Sequence, residues 1–304
     1  MTSSRTRTGK LWLGVGVAAL VTTGGAAANP VNAGQSGRGL ETTGGTYPGS
    51  PLMLADATAV ASPHDHGAAA KAPGQGGEGG EGGEAGGASL PQNVRFLRDI
   101  GLVRGHLLVG NELVSLGRWE DGLPHFLHPV EEIYEALRRP LKEKHIADFD
   151  AALKALAQTV KSRKLDAYKA AWARVDARLS DIERAEKSAA GASYPQITVA
   201  TVLGLLQSAA GEYGQAIEDG RIAKPVEYQD SRGFVYYAGV LLDGVGGDLT
   251  ALNPDAAPPL RAALDALKAA WPAPVPPEKP VMDHAAVLAQ VSRFELAAGP
   301  FLNN

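Results

Sequence analysis

The sequence predicts an all-α fold, an antiparallel bundle of about seven to eight helices over residues 91–304. Three observations predict it. From Pro91 onward apolar residues recur at helical spacing, as in Phe96, Ile100, Val103 and Leu107. Glycine and proline fall where helices stop and start, as at Gly117, Pro195, Gly220 and Pro225. No segment shows the apolar–polar alternation of a half-buried strand.

The elements follow in order. Arg95 to Leu116 puts Phe96, Ile100, Val103, Leu107 and Val114 on one broad face, and Gly117 stops the helix. Trp119 to Arg139 is the second helix. Pro129 is expected to bend it, because proline lacks the N–H and crowds the carbonyl four residues back. Phe149 to Val160 and Leu165 to Glu186 are rich in Ala, Leu, Lys and Arg, which lose little rotamer freedom in a helix. The fifth helix starts after Tyr194, with Pro195 at its first position, and is expected to end at Gly220. The sixth runs from Pro225 to near Gly244, and the seventh from Pro258 to Trp271. A proline-rich run, Trp271-Pro-Ala-Pro-Val-Pro-Pro277, separates it from the eighth, Asp283 to Leu296. The pattern divides into halves of roughly four helices, 91–190 and 191–304, with no repeat between them.

The first 33 residues read as an export signal. Arg5, Arg7 and Lys10 precede an apolar run from Leu11 to Val21, and small residues come next at Ala26-Ala-Ala28 and Val31-Asn-Ala33. The apolar run is too short to span a hydrocarbon core of about 30 Å. No later stretch is uninterruptedly apolar over a membrane-spanning length, so the mature chain is expected to be soluble, without a transmembrane segment, and periplasmic. Residues 34–90 are a Gly-, Ala- and Glu-rich linker that ends in Gly76-Gly-Glu-Gly-Gly-Glu-Gly-Gly-Glu-Ala-Gly-Gly87. Such a stretch has too little apolar surface to offset the entropy of ordering it. A chain beginning at Ser89 is therefore expected to melt within a few degrees of the mature protein. A larger drop in thermal denaturation would show that the linker packs on the domain.

Composition removes several function classes. Lys and Arg total 29 against 33 Asp and Glu, a formal charge of -4, and loss of the basic leader makes the remainder more acidic. Nucleic-acid binding needs the opposite balance. With no cysteine there is no disulfide, thiolate metal site or cysteine nucleophile. No nucleophile elbow, phosphate loop, dinucleotide fingerprint or His-Glu-x-x-His is present, so the chain does not read as an enzyme.

Ionisable residues on apolar helix faces mark candidate ligands. His106 lies inside the apolar sector of the first helix, and Asp99, seven residues earlier, shares its stripe. A structural His–Asp hydrogen bond accounts for this pair as well as a ligand role does. On an unbroken second helix His125, His128, Glu132 and Glu135 share an arc of about 80°. Imidazoles with a carboxylate suit iron, zinc, copper or manganese rather than calcium or magnesium. Phe126, Val130, Ile133 and Leu137 point the other way, so this stripe faces outward unless Pro129 shifts the phase. Glu227 and Asp230 head the core-facing stripe of the sixth helix, and Glu212 sits at the apolar edge of the fifth. Such carboxylates are either ligands or partners of the helix dipole.

Two segments carry a resemblance. Gly211-Glu-Tyr-Gly-Gln-Ala-Ile-Glu-Asp-Gly-Arg-Ile222 and Val226-Glu-Tyr-Gln-Asp-Ser-Arg-Gly-Phe234 are similar to the helical extracytoplasmic region associated with bacterial iron permeases of the Ftr type. His128-Pro-Val-Glu131 resembles the His-x-x-Glu of imelysin-like periplasmic proteins of metal uptake, although Phe126 stands where those have Gly. The permease's Arg-Glu-x-x-Glu motif and membrane helices are missing, so the chain is not the permease itself. The resemblance implies an exported accessory protein that handles a transition-metal ion, iron foremost, beside an inner-membrane metal permease. A helical scaffold or partner-binding module without metal is the other reading of the same residues.

Overall fold

Residues 90–302 are described by a computed structural model. The export signal, residues 1–33, and the linker 34–90 except for Leu90 lie outside the described residues.

Helix α1, Gln92–Ser115, is buried on all sides rather than on one face, with Phe96, Ile100, Leu102, Val103, Leu107, Val109 and Leu113 all shielded. A helix apolar around its whole circumference is a core helix. It ends where expected. Gly117 takes φ 75°, its N–H bonds the Val114 carbonyl, and the Arg118 N–H bonds that of Leu113. This Schellman geometry needs the left-handed conformation that glycine adopts without strain.

The second helix is broken as Pro129 requires. Short helices α2, Trp119–Gly122, and α3, Pro124–His128, lead into a π turn over Pro129–Ile133 and then α4, Tyr134–Glu143. The Tyr134 N–H reaches back five residues to the Pro129 carbonyl. The extra residue in this turn absorbs the missing proline N–H and rotates α3 relative to α4.

Helices α5, Asp150–Lys161, and α6, Leu165–Ala190, pack on one another, and a 3₁₀ turn at Gly191–Ser193 leads to α7, Tyr194–Ala216. Strands β1, Ile217–Glu218, and β2, Arg221–Ile222, then form a minimal antiparallel hairpin with Ile217 opposite Ile222. The expectation that the fifth helix runs to Gly220 is thus corrected by four residues. Asp219 and Gly220 both have positive φ, 50° and 71°, the conformation of an Asp-Gly hairpin turn. Helix α8, Pro225–Gly244, comes next, then α9, Gly246–Leu252, which the sequence pattern did not announce. Helices α10, Ala257–Lys268, and α11, His284–Leu302, complete the bundle, the latter ending six residues later than expected.

α1 lies against both α7 and α8, and α11 packs on α7 and α10. The α1–α8 crossing is close because glycines face each other there. A Cβ built on Gly233 would stand 2.2 Å from the Gly105 carbonyl oxygen. Buried charges across these contacts are paired. Arg104 of α1 binds Asp176, Ser180 and Glu183 of α6, and Tyr237 of α8 donates to Glu183. Arg232 of α8 grips both oxygens of Glu112 on α1, at 2.9 and 3.0 Å, and donates to the Trp271 carbonyl. Such forks satisfy a charge that would otherwise be costly to bury. Among the described residues one helical stretch, Leu165–Ala216, has the length and composition to cross a membrane. Its α7 part, holding Val199, Val202, Leu205 and Leu206 at no exposure, is packed by α1, α8 and α11.

Candidate metal centre

Three histidines and one aspartate meet between α1, α3 and α8. His106 enters from the middle of α1, His125 and His128 from α3, and Asp230 from the second turn of α8. Their ligand atoms all lie within 4.8 Å of one another. His106 Nδ1 and His125 Nδ1 each stand 2.6 Å from Asp230 Oδ1, and His128 Nδ1 stands 3.1 Å from Oδ2. The rings are set edge to face, His106 against His128 at 5.4 Å and His125 against His128 at 6.1 Å between centroids. Phe234, one turn beyond Asp230, closes the other side of His106 at 4.9 Å.

Local structure explains the convergence. His125 and His128 are one turn apart, so α3 delivers both imidazoles in one direction. The π turn after them removes the phase conflict with Ile133 and Leu137, so Phe126 and His125 are buried together. The glycine contact lets α1 approach α8 closely enough for His106 to reach Asp230.

His106, His125 and Asp230 are buried, while His128 keeps 20% of its side-chain surface exposed. Glu132, on the π turn, has Oε2 3.9 Å from His128 Nδ1 and is the most exposed of the group at 30%. The cluster therefore has a closed floor and one side open towards Glu132. Burial works against the charged form of Asp230. The charges and hydrogen bonds of His106 and His125 outweigh it and hold the carboxyl well below its usual pKa. Burial likewise opposes protonation of His128, yet the bond to Asp230 keeps its pKa above the ordinary histidine value.

Of the residues singled out from sequence, His106, His125, His128 and Asp230 come together and Glu132 stands at the rim. Glu212 is buried on α7 and Glu227 half-buried at the start of α8, and neither joins the group. Asp99 pairs with Arg98 at 2.6 Å. Glu135, on the far side of the π turn, pairs with Arg138 in solvent. Sequence reasoning missed Gln229, whose Oε1 lies 2.9 Å from His125 Nε2. Its position next to Asp230 was the only signal in the sequence.

Inside a helical bundle, this nitrogen-rich, half-closed cluster is a donor set that suits a first-row transition-metal ion. Residues 188–300 match the family model of the iron permease-associated 4-helix bundle domain. This bears out the resemblance carried by Gly211 to Phe234, which lies inside the match. The imelysin likeness gains no support from it. No curated protein and no solved structure matches the chain. Asp230 falls within the matched segment, whereas the three histidines precede it.

Proposed function

We propose that this chain is an exported, soluble metal-binding protein of iron uptake or handling, working in the periplasm beside an inner-membrane metal permease. His106, His125, His128 and Asp230 hold the ion, and Glu132 stands at its entry. The observation that carries the reading is the convergence of three imidazole nitrogens on one buried carboxylate. Three nitrogens and an oxygen suit ferrous, zinc, cupric or manganous ions better than calcium or magnesium, which prefer all-oxygen sites. The family description is what favours iron among them. The open side at His128 and Glu132 suits a cargo ion that must be released again.

Elemental analysis of protein purified aerobically and anaerobically tests the reading, followed by titration with ferrous, ferric, cupric and zinc ions. At free ion a hundred times its dissociation constant the fold gains about 2.7 kcal/mol. For a domain of this size that raises the melting temperature by roughly 5–10 °C. His125→Ala and His128→Ala should each lose most of the binding, and the double variant little more, because ligands act as a unit. Protein that carries no metal and shows no melting shift with any of these ions is instead a scaffold or partner-binding module.

A further inference from the structure

The proline-rich run between α10 and α11 separates helices in the sequence but packs as a strap in the structure. Its carbonyl oxygens face the first turns of α8. Tyr228 donates its hydroxyl to Ala273 at 3.0 Å, Gln229 its amide to Pro274 at 3.1 Å, and Arg232 its guanidinium to Trp271. Tyr236 also donates to Trp271, and the Trp271 indole donates to Ser231 at 2.6 Å. These residues bracket Asp230 on both sides. A proline has no N–H, so a chain rich in it cannot spend its carbonyls on a ladder or helix of its own. They remain free to accept from side chains.

Gln229 links this strap to the cluster. It is 3% exposed and His125 is fully buried, so neither has water as an alternative partner. Only the amide nitrogen of Gln229 is able to donate to the Pro274 carbonyl, which turns Oε1 towards His125. An oxygen acceptor 2.9 Å from His125 Nε2 requires a proton on that nitrogen. The Asp230 carboxylate, 2.6 Å from Nδ1, also only accepts, so in the metal-free protein Nδ1 carries a proton as well, and with Nε2 held by Gln229 it is Nδ1 that gives up its proton to a ligand.

We infer that Gln229 is a positioning residue for the metal centre: held by the Pro274 carbonyl, it fixes His125 in the Nε2–H form with Nδ1 presented to the ion. The assignment rests on the metal reading above. The alternative, a glutamine that merely fills core space, predicts the same fold but no control over the ring. Outer partners of this kind orient ligating histidines and typically set about 10–100-fold of metal affinity.

Nitrogen-15 NMR of histidine-labelled, metal-free protein gives a readout independent of binding. His125 Nε2 should carry a proton in the wild type and in Gln229→Glu, which keeps an acceptor. In Gln229→Leu it should lose that proton, leaving a neutral ring protonated on Nδ1 towards Asp230. Cobalt(II) titration is the second arm. Gln229→Leu should bind roughly 10–100-fold more weakly with a shifted visible spectrum, and Gln229→Glu should restore most of the affinity. A retained His125 Nε2 proton and wild-type cobalt affinity in Gln229→Leu would overturn the inference. If the wild type gives no cobalt spectrum, the metal reading fails, while the NMR arm still decides whether Gln229 sets the ring.

Discussion

Replacing Asp230 with Asn should abolish tight metal binding while leaving the helices in place. The carboxylate touches all three imidazoles, through Oδ1 to His106 and His125 and through Oδ2 to His128. Asparagine keeps the shape but removes the charge, and turns one of the two acceptors into a donor that meets a ring nitrogen. The loss should exceed the roughly 10–100-fold typical of an outer-sphere partner, because in the proposed site the ligand itself is altered. Alanine is harsher. It leaves the imidazoles facing a gap, and removing one partner of a buried charged network costs about 3–5 kcal/mol. Calorimetric titration of Asp230→Asn and urea denaturation of metal-free Asp230→Ala measure the two effects. Wild-type affinity in the first variant would remove Asp230 from the ligand set, and wild-type stability in the second would show that the network carries little of the fold.

The helices were legible because each depends on local pattern. Pro129, Pro195, Pro225 and Gly117 mark ends and bends through their own backbone limits, and the structure places those features within a few residues. The hairpin at Ile217–Ile222 was missed although its Asp219-Gly220 turn was in plain view, since strands of two residues leave no alternation to detect. The site was half legible. His125 and His128 stand out by their spacing, and His106 and Asp230 by lying on apolar faces. What periodicity does not contain is which faces meet. Asp230 lies more than a hundred residues from each histidine that it binds, so its choice of His106 over Glu212 or Glu227 is a property of the packing. For the same reason the run from Trp271 to Pro277 looked like a spacer, because a carbonyl offered to another helix leaves no mark on sequence composition.

Gly233→Ala should be among the most damaging single-methyl changes in the protein. The new Cβ would lie 2.2 Å from the Gly105 carbonyl oxygen and 2.8 Å from its carbon, both backbone atoms of α1 that no rotamer change relieves. The helices must part by about 1 Å, and forced overpacking of this kind costs about 1–3 kcal/mol, here at the upper end or beyond. The same displacement reaches the proposed metal centre. His106 follows Gly105 directly, and Asp230 is one helical turn before Gly233 on the facing helix. Metal–ligand distances tolerate roughly 0.2 Å, so a shift of that size should weaken binding as well as stability. Gly239→Ala, in the same helix, is the control. Its Cβ would meet only the end of the Lys268 side chain, which can swing away, and alanine gains up to about 1 kcal/mol of helix propensity. Thermal melts and metal titrations of the two variants should therefore diverge, Gly233→Ala losing both stability and affinity and Gly239→Ala losing neither. Equal behaviour of the pair would mean that α1 and α8 do not meet through their glycines. The close approach that lets His106 reach Asp230 would then need another cause.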